Sequence, residues 1–312
     1  MSTVVVLGAA GFLGSHLCDR LVERGETVIG IDDLTSGSHS NLQQLSDNPR
    51  FSFFECDVSM DLPNIESADT ILHFASPASP PRYTQRQIHT LRTGSRGTEN
   101  ALELSARLGC RLIMASTSEV YGEPLIHPQP ESYRGNVSST GIRSCYDEAK
   151  RFAEAMCMAF ARERGTDVGI VRIFNTYGPR LDRNDGRVVS NFIWQALRGE
   201  PLTIYGDGRQ TRSFCYVDDE VAGIIALMDS PHTGPINIGN PNEFTMFELA
   251  QMVLELSESS SEMISRPLPE DDPTQRCPDI SLARELLNWE PRVQLREGLE
   301  RTIRWFRTQG GG

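Results

Sequence analysis

The strongest constraint on this chain is a glycine series near its start. Gly8, Gly11 and Gly14 follow the apolar run Val4-Val5-Val6-Leu7 and lead into a helical pattern over residues 14–24. Strand, glycine turn and helix open a βαβ unit. Glycines spaced three and three let the backbone approach a pyrophosphate and let the helix pack close on the strand, with its N-terminus toward the phosphates. Phe12 and Leu13 sit between the last two glycines. The next apolar run, 27–31, is followed by Asp32 and Asp33, and Asp32 lies 21 positions after Gly11. An acidic residue about 20 positions on can accept hydrogen bonds from ribose hydroxyls. Residues 34–38 hold no Arg or Lys for a 2′-phosphate, so NAD is expected rather than NADP. Asp57 and Val58, just after a third run at 51–55, are expected to face the adenine.

Further apolar runs at 70–74, 111–115 and 168–174 alternate with helical patterns at 98–108 and 145–164. In the second of these, Ala149, Phe152, Ala153, Met156 and Phe160 follow i, i+3, i+4 spacing, which predicts an apolar face. This rhythm predicts an α/β fold, a Rossmann-type doubly wound parallel sheet covered on both faces. After Gly178-Pro179 the rhythm breaks. Helices are expected at 188–197, 244–256, 282–287 and 295–306. A short strand at 235–238 is expected to return to the sheet. The polar stretch 255–265 reads as a surface loop and the last three glycines as a frayed end. The expected division is a cofactor-binding domain over 1–176, with 214–239 returning to it, and a smaller substrate lobe over 177–312.

Charge narrows the partners. The 30 basic and 42 acidic residues give a net charge of −12, which disfavours nucleic acid. The seven cysteines are odd in number and contain no CxxC pair. No metal site or disulfide framework is expected, and the thiols read as reduced in a cytoplasmic protein. No apolar run reaches the ~18 residues of a membrane span. The opening Val4–Leu7 run has no basic residue before it and passes straight into the glycines, so it reads as a strand rather than a leader.

Tyr146 and Lys150 lie four apart on the 145–164 helix, on one face. A tyrosine has a pKa of about 10 in water, and a neighbouring ammonium is expected to lower it. Tyr146 would then exchange a proton with a substrate hydroxyl while hydride leaves the carbon. Ser116, Thr117, Ser118 and Glu119 follow the 111–115 run, where open α/β sheets bind ligands. Alone, each motif has a plainer reading: a surface Tyr, a solvated Lys, a helix cap. Together with the glycine series they favour a redox site.

Taken with longer matching stretches, these motifs resemble the extended short-chain dehydrogenase/reductase family, the NAD-dependent epimerases and dehydratases. Within it the chain is similar to the branch that decarboxylates UDP-glucuronate. The stretches are residues 75–81, 115–122, 143–148, 172–180, 185–192, 205–214 and 271–279, and the likeness runs from about residue 3 to residue 307. The resemblance implies NAD-dependent conversion of UDP-glucuronate to UDP-xylose. It implies an oxidation centre of Thr117, Tyr146 and Lys150, with Ser118 and Glu119 assisting at the sugar and Arg276 meeting the substrate carboxylate. Ala75 would join the cofactor set. Pro81, Tyr83, Arg143, Asn175, Arg187, Val188, Tyr205, Gln210 and Arg212 would contact the UDP-sugar. It also implies a homodimer through helices near 98–108 and 145–164.

Three alternatives stay open. A 4,6-dehydratase would carry an Asp where Ser118 stands, and a 4-epimerase usually lacks the glutamate at Glu119. A non-catalytic NAD-binding module would not require the intact Thr117, Tyr146 and Lys150. The chain also departs from the family pattern at Gly94, Arg134, Ser138, Ser139 and Cys277, which bears on the choice of sugar.

Overall fold

The alternation in the first apolar run decides where it sits. In strand β1 (Thr3–Leu7), Val4 and Val6 join the core on one face of a sheet, and Val5 and Leu7 join the core on the other. A strand buried on both faces belongs inside a parallel sheet. The computed structural model describes residues 2–267 and 275–309. The first half adds β2 (Thr27–Asp32), β3 (Phe51–Glu55), β4 (Thr70–His73), β5 (Arg111–Thr117) and β6 (Val168–Ile173). Shorter strands follow: β7 (Thr176–Tyr177), β8 (Leu202–Tyr205), β9 (Thr211–Ser213), β10 (Cys215–Tyr216), β11 (Ile236–Ile238), β12 (Glu243–Thr245), β13 (Met263–Arg266) and β14 (Gln275–Arg276).

The main sheet has seven strands in the order β3-β2-β1-β4-β5-β6-β11, all parallel. The chain steps outward from β1 to β3, then crosses to β4 on the other side of β1. That reversal opens a crevice beyond the carboxyl ends of the strands. Helices α1 (Phe12–Glu23), α2 (Pro80–Gln85), α3 (Gln87–Arg92), α4 (Thr98–Leu108) and α5 (Ser144–Arg164) belong to the first half. Helices α6 (Val188–Leu197), α7 (Val217–Met228), α8 (Met246–Ser257), α9 (Ser281–Leu287) and α10 (Leu295–Gln309) follow. Leu17 and Leu21 of α1 and Ile224 of α7 pack with Val4 and Val6. Ala101 and Leu102 of α4 and Ala153 and Cys157 of α5 pack with Val5 and Leu7. Beside the sheet, β9 lies between β12 and β14, β13 pairs with β8, and α6 packs on α8.

Several local expectations are revised. The first helix starts at Phe12, two residues early, because Gly11 is extended and serves as the N-cap. Strand β5 runs on through Ser116 and Thr117, so these hydroxyls are held by the sheet itself. Much of 255–265 is ordered: α8 continues to Ser257, and β13 pairs in parallel with β8 as a ribbon whose strand offers little buried apolar area to read. Phe152 is 46% exposed; the buried stripe of α5 passes through Ala149, Ala153, Cys157 and Phe160, and Phe152 lies on the outer face. The final three glycines lie outside the described residues.

Candidate active site

A cleft of about 1200 Å³ lies beyond the carboxyl ends of the strands, and every residue assigned to the site from the sequence lines it. The residues fall into four groups.

At one end stand Gly8, Gly11, Phe12, Leu13, Gly14, Asp32, Asp33, Asp57, Val58 and Ala75. Gly8 has φ +85°, and a Cβ at Gly14 would fall 1.9 Å from the Gly8 carbonyl oxygen. Both positions therefore require glycine. Gly11 offers no side-chain cap and the first turn of α1 carries no acidic residue, so its N–H groups and dipole suit an anion. The Asp32 carboxylate accepts from Ala10 N at 3.0 Å and Leu34 N at 2.8 Å. Its pKa is raised by burial, against those two bonds. The His89 ring lies 3.7 Å from Asp33 and 3.9 Å from Asp57. One guanidinium, Arg82, reaches residues 34–38 from α2, donating to the Thr35 carbonyl and pairing with Asp182. Uncapped helix end, glycine cradle and strand-end carboxylates fit a dinucleotide whose ribose hydroxyls are unphosphorylated.

Thr117, Tyr146 and Lys150 form the middle wall. All three are buried. Lys150 Nζ donates to the Ala115 carbonyl at 2.8 Å and lies 5.8 Å from the centre of the Tyr146 ring. The expectation that Lys150 lowers the Tyr146 pKa is overturned. Burial pushes the phenol up to about 12, and the Thr117 hydroxyl beside it pulls the other way only in part. Burial also brings Lys150 down to about 8, despite nearby Cys157 and Glu154. Low dielectric penalises phenolate and ammonium alike, and here it outweighs their proximity.

Next to this wall lies a charged cluster. Glu119 Oε2 pairs with Arg143 at 2.5 Å and with Arg276 at 3.4 Å. Arg276, 1% exposed, also donates to the Ser118 carbonyl at 2.9 Å. Ser118 Oγ donates to Glu119 Oε1 at 3.4 Å. Burial alone would raise the Glu119 carboxyl, but the guanidinium groups of Arg276 and Arg143 outweigh it and hold it down to about 2. Tyr83 stacks on Tyr146 with the Arg143 guanidinium 5.9 Å above its ring.

The last group of lining residues is Pro81, Asn175, Arg187, Val188, Tyr205, Gln210 and Arg212, with Arg187 close enough to Tyr146 and Arg212 close enough to Glu119 to lower their pKa values. Arg187 is paired with Asp185, Gln210 Nε2 donates to the Tyr205 carbonyl at 2.6 Å, and Arg212 donates to the Thr211 carbonyl at 2.9 Å. Tyr205 is 42% exposed, a ring at the rim rather than in the core.

Sequence reasoning missed Asp147, a 7% exposed carboxyl one residue after Tyr146. Its Oδ1 has no hydrogen-bond partner among the described residues. Burial and then Glu119 raise its pKa to about 7, against Arg143 and Arg276. The i, i+4 spacing from Arg143 was a usable signal. Arg82 was missed because nothing local links α2 to residues 34–38. Among the described residues two groups of potential metal ligands converge, His127 with Glu243 and Cys277, and Asp33 with Asp57 and His89.

A nucleotide cradle at the sheet's crossover point, with a Thr-Tyr-Lys wall beside it, defines a dinucleotide-dependent redox site. The chain matches the model of the NAD dependent epimerase/dehydratase family over residues 4–239 and belongs to that family. It is 54% identical over 297 residues to UDP-glucuronic acid decarboxylase 3 of Arabidopsis thaliana, covering 95% of this chain and 86% of that one. It is 52% identical over 306 residues to UDP-glucuronic acid decarboxylase 1 of the same plant, covering 98% and 70%. Among solved structures, the UDP-glucuronic acid 4-epimerase of Bacillus cereus in complex with NAD superposes with a TM-score of 0.88 at 29% identity, covering 99% of this chain and 98% of that one.

Proposed function

We propose that the cleft converts UDP-glucuronate to UDP-xylose and carbon dioxide with NAD as a recycled cofactor. NAD, when bound along Gly8–Gly14 and Asp32, supplies the acceptor and then the donor of the C4 hydride. Oxidising the C4 hydroxyl puts a ketone β to the C6 carboxylate, and the bond to that carboxylate breaks with its electrons flowing into the ketone. Charge then develops on the C4 oxygen, where fixed donors stabilise it most effectively. Thr117 and Tyr146 are assigned that role. The raised pKa of Tyr146 makes the neutral phenol its resting form, suited to donating to an enolate oxygen and to returning a proton at the end. To accept the C4 hydroxyl proton in the first step, Tyr146 must first release its own. The positive charges of Arg187, which lowers its pKa, and of Lys150, 5.8 Å from its ring, favour the phenolate that this requires.

The observation that carries this reading is the state of Glu119. A 4,6-dehydratase needs an acid to expel a hydroxyl as water. Ser118 has no acidic proton to give at neutral pH, and Glu119 is held ionised between two guanidinium groups. Arg276 offers a fork that suits a carboxylate better than a hydroxymethyl. The last group is assigned to the uridine diphosphate, 1–176 with the returning segment 214–239 to the cofactor half, and the rest of 177–312 to the sugar half.

The test is mass spectrometry of purified protein with UDP-glucuronate and catalytic NAD. A product lighter by one carbon dioxide, with no net NADH, supports the decarboxylase. A product of unchanged mass would move the assignment to a 4-epimerase. Retention of NAD without turnover of any UDP-sugar would favour a binding module.

We also propose a homodimer through α5. Phe152 on α5 and Ile88 and Leu91 on the adjoining α3 are exposed apolar side chains, the kind of surface that association covers. A cytoplasmic location is proposed from the cysteine pattern of the sequence, seven in number with no CxxC pair. Among the described residues no helix is long and apolar enough to cross a membrane.

A further inference from the structure

Two guanidinium groups share one carboxylate in this cleft, and they share it unequally. Arg143 holds Glu119 at 2.5 Å, while Arg276 meets the same oxygen at 3.4 Å and spends its other terminal nitrogen on the Ser118 carbonyl. We propose that Arg143 is a positioning residue, holding Glu119 so that the substrate carboxylate can recruit Arg276 without a contest. The inference rests on the decarboxylase reading above.

The charges support this division of labour. A buried carboxylate left without a cation is costly. If Arg276 were its sole partner, an incoming carboxylate would have to compete with Glu119 for one fork. With Arg143 in place, Glu119 keeps a close cation of its own when Arg276 turns to a second anion. Arg143 is itself well anchored. It occupies the N-cap position of α5, and its guanidinium lies over the Tyr83 ring. Asp147, one turn along the helix, adds to the field that keeps it charged. Tyr83 stacks on Tyr146, so Arg143, Tyr83 and Tyr146 form one continuous pile from the sugar carboxylate region to the phenol.

The experiment is a double-mutant cycle on binding, read by calorimetry with NAD present. All variants carry Tyr146→Phe, so that substrate is not consumed. The ligands are UDP-glucuronate and UDP-xylose, which differ by the carboxylate. Arg143→Gln should weaken UDP-glucuronate by about ten- to a hundredfold, the loss typical of a charge-assisted contact, and change UDP-xylose by less than about threefold. Adding Glu119→Gln should recover most of the lost affinity for UDP-glucuronate, because Arg276 no longer has a rival partner. Arg143→Lys, which keeps the charge, should fall between the parent and Arg143→Gln. Equal weakening of both ligands by Arg143→Gln, or no recovery on adding Glu119→Gln, would overturn the proposal. In an otherwise unaltered protein, failure to turn over UDP-glucuronate would instead remove the decarboxylase reading on which it rests.

Discussion

The ring of Tyr83 lies flat against the ring of Tyr146, with centroids 5.0 Å apart and planes within 3°. The two come from different helices, α2 and α5, so a short helix at the rim of the cleft braces the phenol in its middle. Tyr83 is 1% exposed, and its own hydroxyl has no partner among the described residues. What the ring contributes is a surface. A stacked partner restricts rotation of Tyr146 and keeps water from its face, which is one source of the raised phenol pKa.

Replacing Tyr146 with phenylalanine keeps that stack and deletes only the hydroxyl. Turnover of UDP-glucuronate should fall by at least about a hundredfold, the usual span of general acid–base catalysis, while NAD titration is unchanged. Steady-state rates and cofactor fluorescence check the two halves. Near-normal rates would remove Tyr146 from the proton path.

Arg276→Ala should separate substrate from product. UDP-glucuronate should bind roughly ten- to a hundredfold more weakly, and UDP-xylose, which lacks the carboxylate, should change far less. Competitive inhibition by UDP-xylose gives the second number. Comparable losses for both would place Arg276 in the scaffold instead, supporting the Ser118 carbonyl.

Asp147 predicts a stability that depends on pH in a defined direction. Its pKa is raised from 3.8 to about 7 by burial first and Glu119 second. In the window between those values the folded state holds a proton that the unfolded chain has released. The stabilisation is therefore complete below the unfolded value, erodes as pH rises through the window, and is gone above about 7. Asp147→Asn is free of this loss. Its advantage over the parent in urea denaturation should grow from pH 4 to pH 7 and then level off, reaching on the order of a few kcal/mol at most. A gap independent of pH would contradict a titrating Asp147.

Phe152→Glu puts a charge in the exposed face of α5. Sedimentation should then find monomers where the parent sediments as a dimer, with the circular dichroism spectrum kept. A monomeric parent, or a dimeric variant, would remove α5 from the interface.

Much of the fold could be read in advance because parallel strands announce themselves. Val4 to Leu7, Leu112 to Ala115 and Val168 to Val171 carry no polar side chain and no alternation, and each became part of an interior strand. The glycines at 8, 11 and 14 were equally legible, since backbone crowding at Gly14 leaves no other residue type. Stretches outside the buried core were harder. Residues 80–97 form α2, α3 and a wide helical turn around Thr93–Gly97, and their packing against α5 has no periodicity that sequence alone separates from a loop. The site residues came together in one cleft, but their electrostatics did not follow from spacing. Tyr146 and Lys150 sit one turn apart as expected, and desolvation, which depends on everything packed around them, reversed the direction of the phenol shift. Asp147 was hidden for a similar reason. A charged residue inside a helix usually faces water, and only the tertiary structure buries this one.

The position of β11 has a consequence for how the chain is made. This strand, Ile236–Ile238, closes the open flank of β6, and within it Asn237 donates to the carbonyls of Gln129 and Asp279 while accepting from the Tyr121 hydroxyl. During synthesis, six strands emerge and can assemble well before their last neighbour does. Until about sixty further residues have followed, β6 presents a bare row of amides and carbonyls, a surface that invites strand addition from other chains. A product truncated shortly after β7 would keep the whole glycine cradle and still be sticky. Attempts to produce the nucleotide half alone should therefore carry the segment through Ile238.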